Sequence, residues 1–469
     1  MFGLEDTLLI SLLIFSLLCA CFFEFVNGFH DTANAVATVI YTNSLKPWVA
    51  VVWSAICNYT GVMMGGIAVA MGIVNLLPVE LLIDQSLSSS MAMVMALLFS
   101  AIIWNFGTWY FGLPASSSHT LIGSILGVGI AYGLLPNTAD AAVNWSKVND
   151  IGLSLLLSPL FGCTLTIVLM YILRRTAKKQ KDILFNPPKG DRPPPFWIRS
   201  LLILTSTGVS FSHGNNDGQK GVGLMMLILI GIVPSYFALD RDADPSKMKP
   251  HLVKIEAYYQ ALNTSKLSDE DSVKVVKTLG YIEDIKITTD TLTSITYLGD
   301  KKPFELRKDI LMVSKNTDKF LSAGVFEISE AQQDELKGEV KKIRQYTDYA
   351  PDWIKILIAF SLGIGTMVGW KRIVITIGEK IGKQHLTYAQ GASAELVAAS
   401  TIGVSSFLGL PVSTTHVLSS GIAGSMIADK GIKNLQGNTV RNILLAWLLT
   451  LPATIILSGG LYLLLRQVL

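Results

Sequence analysis

The sequence predicts an all-helical protein that crosses a membrane several times and carries a soluble helical insertion. Three observations support this fold class. Half of the 469 residues are apolar, apolar stretches of about 20 residues recur along the whole chain, and two short motifs each occur twice in the same order. A segment of this length and composition spans a bilayer as a helix, because its backbone polar groups are then satisfied internally.

The membrane segments are predicted from the apolar stretches. The clearest are Thr7–Val26, Trp48–Met71, Met91–Phe111, Thr120–Leu135, Gly152–Leu173, Trp353–Trp370 and Asn442–Leu465. Several others are interrupted by polar residues or glycine. Counting these as well, we expect about ten to twelve membrane segments.

A basic linker divides the membrane part of the chain. Residues 174–199 contain eight Lys and Arg residues against two Asp, and the positive-inside rule places such a loop in the cytoplasm. We therefore assign 1–173 to a first membrane repeat. The second repeat begins at 200–239 and continues at 351–469.

The intervening stretch, 240–350, has the composition of a soluble domain. Between Asp240 and Asp348 lie 38 of the 73 Asp, Glu, Lys and Arg residues of the chain. The periodicity of its apolar residues predicts short amphipathic helices at His251–Leu262, Ser268–Leu279, Thr317–Ala323 and Ala331–Tyr346. No nucleophile-base pair or phosphate loop is evident in it, so a structural or regulatory role is favoured over catalysis.

The two repeated motifs indicate that the membrane part consists of two related halves. Gly28–Asn34 resembles Gly214–Lys220, which lies 186 residues further on, and Gly112–His119 resembles Gly409–His416, which lies 297 residues further on. The two spacings differ by 111 residues, close to the length of the charged insertion. Related halves with broken helices at matching positions are typical of secondary transporters.

The second motif predicts a helix break followed by a new helix start. Each copy places Gly-Leu-Pro before three hydroxyl residues, and proline interrupts a helix because it lacks an N–H. Helix N-termini present free N–H donors and the positive end of the helix dipole, so two facing N-termini can hold an anion. The candidate residues for binding a small oxyanion are Ser116, Ser117, Ser118, Ser413, Thr414 and Thr415.

The first motif supplies charge in apolar or glycine-rich surroundings, where an ionisable residue is costly. Asp31 and Asp217 are matched between the halves. They could bind a cation, carry a proton or accept a hydrogen bond from a protonated oxyanion. The alternative is that each caps a helix and pairs locally.

Candidate proton relays come from the sparse histidines and two isolated acids. Four of the six histidines fall within the motifs, and histidine titrates near physiological pH. The alternative for each residue is a purely structural hydrogen bond. The candidates are His30, His119, His213, His416, Glu24 and Glu395.

The motifs resemble those of the PiT family of inorganic phosphate transporters, and in particular its bacterial low-affinity, proton-coupled group. The similarity is carried by Asn27–Ile40, Trp104–Gly123, Phe211–Gly221 and Gly409–Ser420. The resemblance implies two inverted repeats with re-entrant hairpins, phosphate bound at their interface, alternating access and often a homodimer. It also implies a multi-pass protein of the bacterial inner membrane that is not an enzyme. The implied site residues are Asp31, Asn34, Asp217, Ser117, Ser118, Thr414 and Thr415.

Lys220 departs from the pattern of sodium-coupled members, which have Asn at this position. An ammonium offers only donors, whereas Asn offers an oxygen to a metal ion. We expect Lys220 to take the place of a bound cation and to shift coupling toward protons. The alternative is that its ammonium reaches toward a membrane interface.

The expected partners follow from the same resemblance. They are phosphate, protons, membrane lipids and a divalent ion such as Mg²⁺ that travels with phosphate as a neutral complex. Neither a resident cofactor, a fixed metal site nor a nucleic-acid partner is expected.

Three alternatives remain open at the level of sequence. The chain could be a sodium-coupled phosphate or sulfate symporter, although two retained acids favour an anion that can carry a proton. It could be a passive channel. It could also be an intramembrane enzyme, but Ser118 and His119 are neighbours that point to different faces of a helix, and their pattern is duplicated at Thr415 and His416.

Overall fold

The computed structural model describes residues 6–77, 87–136, 143, 145–188, 190, 192–263, 267–290, 292, 294–298 and 302–468. These residues are predominantly helical, and within them the one β-type pairing is an isolated bridge between Gly382 and Leu435. The all-helical prediction is therefore confirmed. The chain forms two compact units. Leu229–Tyr349 belongs to the insertion unit, and most of the remaining chain forms the membrane unit.

The main helices outside the insertion, which itself contains α8 to α11, are α1 (Thr7–Tyr41), α2 (Pro47–Met64), α3 (Ala68–Val74), α4 (Leu87–Tyr110), α5 (Ser117–Gly133), α6 (Trp145–Thr176), α7 (Phe196–Ile232), α12 (Asp352–Met367), α13 (Lys371–Ile375), α14 (Tyr388–Phe407), α15 (Thr414–Lys430) and α16 (Gly437–Val468). α1 and α7 run without a break through the first and second copies of the Asp motif. The two aspartates are therefore held in helix interiors and do not cap helix ends.

Four helices of the described residues are long and apolar enough to cross a membrane: α1, α4, α6 and α16. Two bent pairs raise this number to six, α2 with α3 at 76° and α12 with Lys371–Lys380 at 56°. The predicted segment Trp48–Met71 is not one straight helix but the bent pair α2 and α3, which is long and apolar enough for a span only when the two helices are taken together. The chain bends after Met64 because Gly65 adopts an extended conformation that ends α2.

The helices of the membrane unit pack in matched pairs. α5 packs along α16, and α15 packs along α6. Each of these pairs joins a helix of the first half to a helix of the second. The contacts of the two halves therefore correspond, as expected for related repeats, while the inverted orientation stays a prediction.

Glycines at matched positions allow two of these helices to approach their neighbours closely. A Cβ added to Gly28 of α1 would lie 2.3 Å from the carbonyl oxygen of Leu362 in α12, and one added to Gly214 of α7 would lie 2.1 Å from that of Asn58 in α2. Small residues allow such backbone contact between membrane helices. The first glycine of each Asp motif is thus a packing residue that positions α1 or α7.

The insertion unit is built on four helices, α8 (Lys249–Gln260), α9 (Asp269–Asp290), α10 (Lys302–Ser322) and α11 (Glu330–Arg344). The predicted helical character is confirmed, but the predicted lengths were wrong for α9 and α10, which both extend well beyond 268–279 and 317–323. Their frequent charged residues obscured an apolar face whose residues pack in a core around Tyr259 and Phe320. The aromatic rings of these two residues lie 6.0 Å apart.

A buried arginine joins the two ends of the insertion. Arg307 of α10 is 2% exposed, and its Nη1 donates to the carbonyl oxygens of Ala238 and Thr347 at 2.8 and 2.9 Å. The backbone N–H of Asp240 also donates to the carbonyl of Tyr346 at 2.9 Å. These hydrogen bonds hold the first and last residues of the insertion next to each other, so the insertion begins and ends at the same place.

Candidate functional site

The predicted helix breaks are present at both Gly-Leu-Pro steps. They separate α4 from α5 and α14 from α15. Gly112 and Gly409 have φ values of +66° and +71°, which glycine adopts without a steric penalty. Pro114 and Pro411 follow two residues later in both copies. The two breaks therefore share their local geometry as well as their sequence.

A serine caps the helix that follows each break. Ser116 Oγ accepts the backbone N–H of His119, and Ser413 Oγ accepts that of His416, both at 3.2 Å. The rings of the two histidines lie 4.6 Å apart. The N-terminal ends of α5 and α15 thus meet inside the membrane unit, as the sequence predicted, and both caps are buried.

Asp31 of α1 lies against both of these helix starts. Its carboxylate accepts hydrogen bonds from Ser117 Oγ at 2.6 Å and from Thr415 Oγ1 at 2.7 Å. His30 Nδ1 lies 2.7 Å from the same carboxylate. Asp31 is 3% exposed, so residues from both halves hold a carboxylate that has almost no contact with solvent.

Asp217 of α7 forms the second half of this network. Ser117 Oγ and Thr414 Oγ1 each lie 3.4 Å from Asp217 Oδ2, and His213 Nε2 lies 3.5 Å from it. Lys220 Nζ donates to Asp217 Oδ1 at 2.7 Å. Ser117 therefore bridges the two aspartates.

Lys220 is a buried cation within the site. It is 2% exposed, and besides Asp217 its ammonium contacts Ser118 Oγ and donates to the carbonyl of Val412 at 2.8 Å. All three contacts lie inside the membrane unit. The alternative prediction, in which Lys220 reaches toward a membrane interface, is wrong.

The site departs from two-fold correspondence at Lys220. Ser117 and Thr414 are repeat partners, and so are Ser118 and Thr415. Thr415 donates directly to Asp31, whereas Ser118 contacts Lys220, which in turn pairs with Asp217. By repeat symmetry, Ser118 and Asp217 are the counterparts of Thr415 and Asp31. The Lys220 ammonium lies between Ser118 and Asp217 and contacts both of them. The partner position in the first half is Asn34, whose side chain lies outside the described residues.

The four motif histidines occupy two places. His30 and His213 lie beside the aspartates, and His213 Nδ1 is also 3.0 Å from Asn58 Oδ1. His119 and His416 lie behind the helix caps, where His416 stacks on Trp447 with ring centroids 3.9 Å apart. Within the described residues, His416 Nε2 is buried without a hydrogen-bond partner.

The two candidate glutamates are both fully buried. Glu24 Oε2 accepts a hydrogen bond from Asn27 at 3.2 Å, while Oε1 is buried without a partner among the described residues. Glu395 of α14 accepts hydrogen bonds from Thr205, at 2.5 Å, and from Thr38. Among the described residues, the hydrogen bonds of the two glutamates go to Asn27, Thr38 and Thr205.

Sequence reasoning missed two asparagines that position the site. Asn216 Oδ1 accepts the backbone N–H of Val412 at 3.3 Å, and its Nδ2 donates to the carbonyl of Leu410 at 3.2 Å. It thereby anchors the break before α15. Asn58 orients His213. Asn216 lay inside the quoted motif, but no local signal indicated the role of Asn58.

The aspartates and one histidine also form a group of possible cation ligands. One ligand atom each from Asp31, His213 and Asp217 lie within 4.8 Å of one another, and all three residues are buried. Carboxylate oxygen and imidazole nitrogen are common ligands of divalent metals. The sequence predicted no fixed metal site, and these groups can equally accept a cation that arrives with a substrate.

A buried polar site assembled from matched motifs, in a helical unit with several apolar spanning helices, defines a membrane transport protein. The chain matches the phosphate transporter family (PHO4) over residues 27–458. It therefore belongs to that family. The resemblance noted from the motifs is confirmed over most of the chain.

Curated relatives agree with this membership. The chain is 44% identical to the low-affinity inorganic phosphate transporter PitA of Escherichia coli K12, over 96% of both chains. It is 43% identical to PitB of the same organism over the same shares. A probable low-affinity inorganic phosphate transporter of Bacillus subtilis is 27% identical over 98% of this chain and 99% of its own. The names are those of transporters, which agrees with the prediction that the chain is not an enzyme.

A solved structure supports the fold. The chain is similar to a sodium-dependent phosphate transporter with a TM-score of 0.55, covering 98% of this chain and 100% of the other. The sequence identity is 20%, so this likeness concerns the fold. Membership of a membrane transporter family and the apolar helices together identify a multi-pass membrane protein.

Proposed function

We propose that this protein imports inorganic phosphate by proton symport through alternating access, with phosphate carried as a neutral divalent metal complex. The observation that carries the proposal is the position of Lys220 between Ser118 and Asp217 in a buried site built from both halves. The relatives named above are phosphate transporters, which supports the choice of substrate.

The hydrogen-bonding groups suit a tetrahedral oxyanion. Two helix N-termini meet beside Ser117, Ser118, Thr414 and Thr415, and hydroxyls can turn from the aspartates toward a ligand. Asp31 and Asp217 can accept a hydrogen bond from a protonated phosphate oxygen, whereas sulfate carries no proton at neutral pH. Phosphate therefore satisfies these acceptors better than sulfate does.

The fixed charge of the site favours a phosphate that arrives with cations. With both aspartates ionised and Lys220 charged, these three groups carry a net charge of −1. A free phosphate anion would be repelled, and the desolvation of an uncompensated charge in a buried site is costly. A divalent metal bound to phosphate removes this penalty, and Asp31, His213 and Asp217 offer suitable ligands to that metal.

The position of Lys220 supports protons over sodium as the coupling ion. A sodium ion bound near Asp217 would need oxygen ligands, but the neighbouring space holds the ammonium of Lys220, which donates to this carboxylate at 2.7 Å. One sodium site is thereby lost. Protons can instead be carried by the phosphate, by the histidines beside the aspartates or by the two buried glutamates, which remain the candidate relays.

Transport through alternating access requires the site to open to each side in turn. Binding shifts this equilibrium only by its different affinity for the two states. Matched packing of α5 on α16 and of α15 on α6 provides two equivalent bodies that could move against each other. Homodimerisation and location in a bacterial inner membrane belong to the same proposal.

Uptake of radiolabelled phosphate into proteoliposomes tests the proposed substrate. We expect accumulation above the external concentration when an inward proton gradient is imposed, and weak inhibition by excess sulfate. Equilibration without accumulation would indicate a channel. Strong competition by sulfate would contradict the assignment of phosphate, and release of free phosphate from phosphorylated lipid would indicate an enzyme.

A further inference from the structure

An apolar groove of about 360 Å³ lies beside the segment that joins the two halves. Its walls come from the end of α6, the one-turn helix Lys181–Leu184, the beginning of α7 and the beginning of α14. The principal side chains are those of Leu173, Leu184, Trp197, Leu201, Tyr388 and Ala392. Trp197 and Leu201 are 48% and 40% exposed, so the groove opens to the outside of the membrane unit.

The groove lies at the end of a helix that is long and apolar enough to span a membrane, so we expect it to face a membrane interface. α6 is one of the four spanning helices, and its last turn ends at Thr176, which lines the groove. Trp and Tyr are enriched where a membrane meets water, and Trp197 and Tyr388 are found here together. The adjoining linker is the basic segment that the positive-inside rule places in the cytoplasm.

A cluster of unpaired cations borders the groove. Arg175, Lys178, Lys179 and Lys181 alternate along the chain with the lining residues Thr176, Ala177 and Gln180. All four cations are exposed, and within the described residues none of them forms an ion pair. Their neighbour Arg174, by contrast, pairs with Asp429. Asp182 is the one acid in 174–188, so the border keeps a clear positive charge.

We propose that this groove is a binding site for an anionic phospholipid. An acyl chain lies along the apolar wall, and the headgroup is held by Lys178, Lys179, Lys181 and Arg175. Any phospholipid chain could fill the groove, but a zwitterionic headgroup carries its own cation and gains little from these residues. The charge at the border therefore selects an anionic lipid of the cytoplasmic leaflet. This site is separate from the aspartate network and does not depend on the proposed transport mechanism.

Tryptophan quenching by brominated lipids tests the proposal on the full-length protein in nanodiscs. The signal of Trp197 is the difference between the native chain and Trp197→Phe. We expect brominated phosphatidylglycerol to bind at this position at least about fivefold more strongly than brominated phosphatidylcholine, the factor that one lysine near an anionic surface provides. Equal quenching by the two lipids would overturn the proposal.

Charge variants separate specific binding from general lipid contact. Lys178→Gln, Lys179→Gln and Lys181→Gln together leave only Arg175 at the border, so they should reduce the preference for phosphatidylglycerol at least about fivefold and leave quenching by phosphatidylcholine unchanged. The control is Lys277→Gln with Lys302→Gln and Lys341→Gln, which removes three exposed lysines from the insertion unit and should preserve the preference. A preference that is unchanged in the first set, or is reduced equally in the control, would overturn the proposal.

Salt distinguishes a lipid headgroup from a soluble anion. Raising sodium chloride from about 0.1 M to about 1 M shortens the screening length from about 10 Å to about 3 Å and should weaken the preference. Inorganic phosphate at matched ionic strength should have no greater effect than chloride. If phosphate displaces the lipid specifically, the cations form a site for a soluble anion and the lipid proposal is wrong.

Discussion

Lys220 is the residue at which the two halves of the site differ. It pairs with Asp217 in a fully buried position, and removing one member of such a pair leaves an uncompensated charge that costs about 3–5 kcal/mol. We predict that Lys220→Asn lowers proton-driven phosphate uptake by at least about tenfold, since about 1.4 kcal/mol already corresponds to a factor of ten. Uptake into proteoliposomes measures this effect.

Lys430→Gln is the control for Lys220, because it removes an exposed lysine from α15 and should leave uptake close to that of the native chain. Full proton-driven, sodium-independent uptake by Lys220→Asn would show that this ammonium does not replace a coupling cation.

Thr415, which belongs to the second half of the chain, donates a hydrogen bond to Asp31 of the first half. We predict that Thr415→Val, which keeps the shape of the side chain, reduces phosphate uptake severalfold, because Asp31 then loses a 2.7 Å hydrogen bond. A lost hydrogen bond to a charged group costs about 1.5–3 kcal/mol. Ser425→Ala is the matched control in the same helix, since Ser425 Oγ donates to the carbonyl of Ile422. Equal uptake by Thr415→Val and Ser425→Ala would contradict a role of Thr415 in the site.

The residues of the site were predictable from the sequence to the extent that local chemistry determines them. Proline and glycine marked the breaks, and the hydroxyl residues after them became helix starts. Partners brought together by tertiary packing were not predictable, because no local signal specifies them. Glu395 accepts hydrogen bonds from Thr38 and Thr205, and the sequence singled out neither of these hydroxyls as a partner.

At the scale of helices, the apolar stretches identified the main elements, while bends and lengths depended on details of backbone geometry. The bend between α2 and α3 follows from Gly65 in an otherwise apolar stretch. The full length of α10 was hidden by its many charges. Repeat correspondence was recognisable from the motifs because their spacing differed by the length of the insertion.

Close packing at Gly28 gives a prediction for helix association. We predict that Gly28→Ala destabilises the membrane unit by about 1–3 kcal/mol, the usual cost of overpacking, because its Cβ would meet the Leu362 carbonyl of α12. Thermal unfolding in detergent, followed by tryptophan fluorescence, measures the change. Gly107→Ala in α4 is the control, since among the described residues no atom beyond its own stretch of helix lies within 4 Å of the added Cβ. An equally stable Gly28→Ala protein would contradict the role of this glycine.

Two carboxylates of the insertion unit respond to pH in opposite senses. Burial, followed by the nearby Asp284, raises the pKa of Asp309 from 3.8 to about 7. The folded unit thus binds a proton that the unfolded chain releases, so this contribution to stability is present at low pH and is lost as pH rises from about 4 to about 7. Burial also opposes ionisation of Glu339, but hydrogen bonds from Lys254, His251 and Lys342 outweigh it and lower the pKa of Glu339 from 4.5 to about 2. Its contribution is present above pH 4.5 and is lost toward pH 2.

We predict that Asp309→Asn increases amide protection of the insertion severalfold at pH 7 and changes it little at pH 4, because the variant removes a half-buried carboxylate that is costly to ionise. Hydrogen exchange of insertion peptides in the full-length protein, corrected for intrinsic exchange, measures this. Asp334→Asn alters a carboxylate that is 81% exposed and should leave the profile unchanged. A native pH profile in Asp309→Asn would contradict the assigned environment.

At the scale of the whole molecule, the chain forms two units, and the described residues of the candidate site all belong to one of them. The membrane unit contains the complete aspartate, hydroxyl and lysine network, and none of these residues lies in the insertion unit. Family membership over residues 27–458 includes both units. The chemistry of transport is therefore expected to depend on the membrane unit, and the insertion closes on itself through Arg307 without supplying a site residue.

The most direct test of the account compares driving ions in proteoliposomes that contain the native protein. An inward proton gradient or an inward sodium gradient is imposed, each with and without magnesium, and radiolabelled phosphate uptake is measured. The account predicts accumulation that is driven by protons, stimulated by magnesium and independent of sodium. Accumulation driven by sodium alone would retain phosphate as the substrate but contradict the role of Lys220 and the proposed coupling.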